Sequence, residues 1–343
     1  MSDPPAPVQS TEELQTGPSP HSKRYIALRV LGALMIAGIA LAVQRLVLAD
    51  EASRNTFGAK VRTKEIDSSL LDRTLPVKVV VPKGAPANDR GLVVFLHGRG
   101  EDESSYLIEP MFEALDGRRT RAPVIAFPDG GDSSYWHDRE SGEWASYVLD
   151  ELIPELVVRF DVDPDKIAIG GISMGGFGAY DIARLEPDRF CAVAGHSPVI
   201  WESSGETADG AFDDAGDFDR NNIIEIAGSA ADPYSALRLW LDAGIEDPFL
   251  DGDQAFEDAL RSAGATPVVK SFAGGHDNEY WNDNWEEYLG WYANSLRQCG
   301  REAAEELKRR ERLEAQSPGK GAGSSGNQSP SKPAAPADAA RGD

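Results

Sequence analysis

Only two cysteines, Cys191 and Cys299, occur in 343 residues, so the chain is neither a disulfide scaffold nor the bearer of a cysteine zinc site. An oxidising compartment would allow one bridge between them. Cys191 also opens an apolar run, where a buried free thiol fits equally well. Basic residues are scarce: 34 stand against 57 acidic ones, for a formal charge of -23. A surface of that sign repels phosphate backbones and excludes nucleic acid as a partner. H-E-x-x-H, clustered His/Cys spacings, a Walker loop and G-x-G-x-x-G are all missing, so no metal and no nucleotide cofactor are expected. No internal repeat and no second core occur either, which leaves a single domain as the simplest account.

Apolar periodicity is also missing from both ends. Residues 1–24 are polar and proline-rich, and 317–343, beginning SPGKGAGSSGNQSP, bury nothing, so both read as disordered. Between the first tail and the core lies a segment, 25–49, read as an N-terminal hydrophobic helix that acts as signal anchor or signal peptide. Its uninterrupted apolar run from Val30 to Val43 follows Lys23, Arg24 and Arg29. The run is shorter than the roughly 20 residues of a full span and suits a signal-peptide core of roughly 7–15, with Val47-Leu48-Ala49 as a cleavage site. Gln44 and Arg45 at its far end suit an uncleaved anchor whose polar ends snorkel. Basic charge before the run puts the N-terminus inside and the remainder outside the cytoplasm, at the membrane or secreted.

From Thr63 to Cys299 short apolar runs alternate with longer helical patterns, which predicts an α/β domain over 60–300 with a mostly parallel central sheet and helices on both faces. Predicted strands are Pro76 to Val81, Gly91 to Leu96, Pro123 to Phe127, Lys166 to Ile169, Ala192 to Ala194, Leu237 to Ala243 and Pro267 to Phe272. Helical spacing covers Trp144 to Phe160, Gly176 to Leu185, Ala255 to Ala263 and Tyr280 to Leu296, and a charged helical extension follows at 301–316. Ligands in such sheets collect beyond the carboxyl ends of strands, so residues that follow strands directly carry the chemistry.

The strand Lys166 to Ile169 runs into Gly170-Gly171-Ile172-Ser173-Met174-Gly175-Gly176 and then a helix. Gly171, Ser173 and Gly175 form G-x-S-x-G in the strand, turn and helix context that lifts a serine clear of the backbone. The helix start favours developing negative charge there. A serine needs a base to become a nucleophile. Of five histidines, His276 in SFAGGHDNEYW follows the last predicted strand, while His97 reads as a packing residue at a turn and His196 as a structural one. The acid that orients the base has two candidates, Asp232 and Asp247, each followed by proline. Element order favours Asp247, because ALRLWLDAG before it is a buried strand. In VVFLHGRGEDESSY the turn after the strand brings the Arg99 backbone N–H beside that of Met174 as the oxyanion hole. The Arg99 side chain reads as solvated, with contact to an acidic substrate as the minor alternative. The loop FPDGGDSSYWHD offers Asp129, Tyr135, Trp136 and His137 as a candidate substrate pocket, or as side chains that pack the loop down.

FLHGRGEDESSY, FPDGGDSSYWHD, GGISMGGFGAYDIARLEPDRFCAVAGHSP, DAGIEDPFLDGDQAFEDALRSAG and FAGGHDNEYW, taken in this order, resemble the esterase family of α/β-hydrolases that includes esterase D, feruloyl esterases and mycolyltransferases. The resemblance covers nearly all of 75 to 297. It implies the α/β-hydrolase fold, a Ser173, Asp247, His276 triad with the oxyanion held at Arg99 and Met174, and a serine-dependent carboxylic ester hydrolase working through an acyl-enzyme, which the export segment sets outside the cytoplasm. The chain departs from the cytosolic esterase D pattern in its export segment, which counts against glutathione thioester hydrolysis. The implied substrate is a small-molecule, lipid or sugar ester. Two alternatives stand beside hydrolysis: a cell-envelope acyltransferase of mycolyltransferase type, and a non-catalytic binding protein on a hydrolase fold.

Overall fold

The computed structural model describes Met35 and residues 54–84, 90–230 and 233–316. The predicted tails and, Met35 apart, the 25–49 helix lie outside these residues; among the described residues no helix is long and apolar enough to cross a membrane.

The strands are β1 (Lys60–Ser68), β2 (Arg73–Val81), β3 (Arg90–Leu96), β4 (Val124–Pro128), a small hairpin of β5 (Asp138–Arg139) and β6 (Gly142–Glu143), β7 (Val162–Ile172), β8 (Ala192–His196), β9 (Arg238–Gly244) and β10 (Val268–Phe272). Among the described residues, all but the hairpin join one eight-stranded sheet in the order β1-β2-β4-β3-β7-β8-β9-β10. Pairing is antiparallel from β1 to β2 and from β2 to β4, and parallel from β4 through to β10.

Successive strand residues point to opposite faces, and here both faces are covered. On β3, Leu92, Val94 and Leu96 enter one core while Val93 and Phe95 enter the other; on β4, Val124 and Ala126 oppose Ile125 and Phe127. This is why these strands read as continuous apolar runs. Burying each of these side chains other than Ala126 contributes about 1.5–3 kcal/mol. The first face carries α2 (Trp144–Ser146), a wider π-helical stretch Tyr147–Leu152, α3 (Ile153–Phe160), α4 (Met174–Leu185) and α7 (Leu250–Ser262), with α5 (Ala215–Arg220) and α6 (Ile223–Ala227) between α4 and α7 in the chain. The second carries α1 (Glu109–Gly117), α8 (Asn278–Asp283) and α9 (Trp285–Gln316). Every predicted strand is present, with ends shifted by a few residues.

Strand β1 has no sequence signal because KVRTKEIDS is polar and mostly exposed. It forms because β2 supplies its hydrogen bonds, and its lysines suit an exposed edge. The two cysteines are paired: Cys191, just before β8, and Cys299 on α9 come within 6.1 Å at Cα and form a disulfide. That corrects the free-thiol alternative, since α9 lies across the start of β8. Beside the bridge, the Arg238 guanidinium donates to Gln298 Oε1 at 3.0 Å and to Glu302 Oε1 at 2.6 Å.

Strands β3 and β7 are neighbours, but after β3 the chain crosses to β4 on one side and later to β7 on the other. Such a reversal opens a crevice beyond the strand ends, where the connections part in opposite directions. The turn after Leu96 and the turn after Ile172 meet there.

Candidate active site

The last residue of β7, Ile172, hands the chain to Ser173, which caps α4 with φ 56° and ψ -118°. A non-glycine residue in that region is strained, and strain of this kind persists only where the surroundings fix it. Those surroundings are visible. Ser173 N donates to the His196 carbonyl at 3.0 Å, and its own carbonyl accepts from Gly176 N at 3.0 Å and Val199 N at 3.2 Å. A Cβ on Gly171 would stand 2.5 Å from the Leu96 oxygen and 2.6 Å from the Gly175 backbone, and one on Gly175 would strike the Leu96 carbonyl more closely still. Hence the elbow tolerates no side chain at either position.

The base arrives from the other end of the sheet. After β10 the chain turns through Gly274 and sets His276 with Nε2 2.8 Å from Ser173 Oγ and Nδ1 3.0 Å from Asp247 Oδ2. In the neutral imidazole, Nδ1–H donates to the carboxylate and leaves Nε2 to accept the serine proton. Asp247 follows β9, and its Oδ1 accepts from Phe249 N at 2.9 Å. Two backbone bonds tie the acid loop to the histidine loop, Ile245 N to Phe272 O and Glu246 N to Gly274 O, both at 3.0 Å. Burial pushes the Asp247 carboxyl up, but the bonds from His276 and the Phe249 amide prevail and hold it below the ordinary carboxylate range. The alternative acid, Asp232, lies outside the described residues.

The sites named for the oxyanion adjoin the serine. Gly98 sits 3.4 Å, at the place of its absent Cβ, from Ser173 Cβ. Its N–H is taken by Glu101 Oε2 at 2.8 Å, and Gly100 N donates to the Asp132 carbonyl at 2.8 Å. The turn is therefore braced on both sides of Arg99. Met174 opens α4, so its N–H belongs to the first turn, which has no intrahelical acceptor. The Arg99 guanidinium is exposed and also donates to the Asp209 carbonyl at 3.0 Å, across on segment 201–219.

Three of the four residues offered for the pocket are buried. Trp136 is fully buried and donates from Nε1 to the His97 carbonyl at 3.1 Å. His137 is fully buried too, 3.0 Å from Asp217 Oδ2, with its ring stacked on Phe212. Tyr135 is enclosed by Phe177, Trp201 and Phe212. These rings pack the loop onto the domain, with Tyr135 and Trp136 both at positive φ. Asp129 is only partly buried and accepts from Gly131 N at 2.8 Å.

Phe249 and Trp281 were missed by sequence reasoning; their rings flank His276 at 5.0 and 5.2 Å. The available signal was position, since one follows the acid by two residues and the other the histidine by five. His97 and His196 are interior, as their context in the chain implied. His97 Nε2 accepts from Gly130 N at 2.9 Å. His196 pairs with Asp242 at 2.6 Å and with the Tyr292 hydroxyl at 3.0 Å. Asp242 also accepts from Trp240, Tyr280 and Tyr288, which fixes the floor beneath the serine.

Comparison with known proteins places this arrangement. Over 264 residues, 65% of this chain, the sequence is 22% identical to Esterase Rv1288 of Mycobacterium tuberculosis (strain ATCC 25618 / H37Rv), and the match spans 57% of that relative's length. It is 24% identical over 271 residues to S-formylglutathione hydrolase of Bos taurus, covering 69% of this chain and 93% of that one. A solved ferulic acid esterase superposes with a TM-score of 0.61 at 23% identity, covering 69% of this chain and 98% of that one. The family model described as Putative esterase matches residues 68–292, a stretch that holds the elbow, the acid loop and His276, and the chain therefore belongs to the Putative esterase family.

Proposed function

We propose that this chain is a serine-dependent carboxylic ester hydrolase that works through an acyl-enzyme on the outer side of the cytoplasmic membrane. The observation that carries the reading is the continuous hydrogen-bonded chain from Ser173 Oγ through His276 to Asp247, at 2.8 and 3.0 Å, on a positive-φ elbow. Ser173 Oγ attacks the ester carbonyl carbon while its proton passes to His276 Nε2. The imidazolium is stabilised by Asp247, and the carbonyl oxygen, now an oxyanion, is received by the Arg99 and Met174 amides. Collapse expels the alcohol, which takes the proton from His276. Water, activated by the same imidazole, then attacks the acyl carbon and releases the acid and Ser173.

An extracytoplasmic setting is supported by two features: the basic-flanked apolar run Val30 to Val43, and the Cys191–Cys299 disulfide, which persists in oxidising compartments. The substrate of this reading is a small-molecule, lipid or sugar ester. Fluorophosphonate labelling of membrane and culture fractions tests nucleophile and location together. Labelling lost in Ser173→Ala and confined to the extracytoplasmic side is expected; labelling that survives Ser173→Ala sinks the assignment. Products formed from a p-nitrophenyl ester with sugar or lipid alcohols present separate release to water from acyl transfer.

A further inference from the structure

At the opposite end of the strands from Ser173, where β3 and β4 begin, lies a cleft of about 310 Å³. Six residues of strand separate Arg90 from Leu96, which places the cleft about 20 Å from the site described above. Its charge is the reverse of the molecule's. In a chain with 57 acidic and 34 basic residues, the cleft is lined by five basic side chains, Arg90, Arg121, Lys166, Arg297 and Arg301, and among the described residues by no acidic one.

Few of these cations are neutralised. Lys166 pairs with Asp163 at 3.3 Å from outside the cleft. Among the described residues no carboxylate pairs with the other four. Among the described residues Arg297 reaches only the neutral amide of Asn294, at 3.4 Å. Arg90 donates from Nη1 to the Phe160 carbonyl at 2.8 Å, while its Nε is buried with no hydrogen-bond partner among the described residues. A buried guanidinium N–H without an acceptor costs free energy, and several like charges around one hollow repel each other. A multiply charged oxyanion relieves both. Four of the five are arginines, whose planar forks match the oxygens of a phosphate better than a lysine ammonium does. The hollow also has an apolar wall at Leu296, Pro123 and Ala122.

We propose that this cleft binds a phosphate ester, with the phosphoryl group held by Arg90, Arg121 and Arg301 and its organic portion against Leu296. The proposal is independent of the chemistry at Ser173. Two sources share the recognised group: a free soluble phosphate, or the glycerophosphate head of an anionic phospholipid.

Calorimetric titration of the full chain at constant ionic strength, with inorganic phosphate in one arm and glycerophosphoglycerol in the other, tests it. Arg121 and Arg301 are exposed, so Arg121→Glu/Arg301→Glu disturbs no core, and its urea midpoint reports folding. The expected result is binding of at least one probe, weakened about ten-fold or more in this variant, with hydrolysis of p-nitrophenyl acetate unchanged. Arg121→Lys/Arg301→Lys should retain part of the affinity. Tighter binding of the headgroup assigns the site to lipid; equal or tighter binding of inorganic phosphate assigns it to a soluble ligand. No heat from either probe, or affinity unchanged by the charge reversal, overturns the proposal.

Discussion

Gly171→Ala tests the elbow at its tightest joint. The added Cβ would stand 2.5 Å from the Leu96 carbonyl oxygen on one side and 2.6 Å from the Gly175 carbon and oxygen on the other. Ordinary contact begins at 3.4 Å, so β3 and the first turn of α4 must each recede by about 0.8 to 0.9 Å. All three atoms belong to the backbone and have no rotamer to escape into. The displacement falls on two functional parts at once, because Leu96 leads into the Arg99 turn and Gly175 follows Met174. Overpacking of this kind costs about 1–3 kcal/mol of stability. Catalysis is more sensitive, since a misplacement of about 1 Å costs on the order of a hundred-fold. The expected outcome is a kcat for p-nitrophenyl acetate lowered by about two orders of magnitude, in a protein whose urea midpoint falls modestly. Gly205→Ala, whose Cβ meets nothing within 4 Å, is the control and should match the parent in both assays. If kcat of Gly171→Ala stays within about three-fold of the parent, the tight elbow is not what positions the oxyanion donors.

Asp247→Asn should keep the loop geometry but remove the charge that orients His276, lowering kcat by about three to four orders of magnitude in the same assay. The Asp247 carboxyl is held below its ordinary value of 3.8, so its contribution to stability is present above that pH and lost as pH falls through the lower folded value. The stability gap between parent and Asp247→Asn, read from urea midpoints, should therefore shrink on acidification below 3.8. Asp253 runs the other way: burial, then the charges of Asp247 and Asp242, push it well above 3.8, and neither of its oxygens has a hydrogen-bond partner among the described residues. Its contribution is full below the unfolded value and is lost as pH rises, so Asp253→Asn should gain stability on the parent as pH rises above 3.8, measured by urea unfolding. An unchanged gap would show Asp253 to be solvated. Cys191→Ser/Cys299→Ser removes a bridge spanning 108 residues and should cost about 2–4 kcal/mol in urea unfolding while leaving kcat intact, because the bridge lies at the opposite end of β8 from Ser173.

The sequence by itself determined the alternation of buried strands and amphipathic helices, because a strand covered on both faces must be apolar throughout. It also determined which residues stand at the strand ends: G-I-S-M-G is a local motif, and the choice of Asp247 needed only a strand before it. Three things required the folded chain. Ser173 and His276 are 103 residues apart, and His276 and Asp247 are 29 apart, so only the packing of β7, β8, β9 and β10 side by side closes their hydrogen bonds. The polar strand β1 has no pattern of its own and exists through pairing with β2. The aromatic loop 129–137 reads equally well as pocket or as packing. Only tertiary contacts with His97, Phe177 and Phe212 show that the rings of Tyr135, Trp136 and His137 are buried.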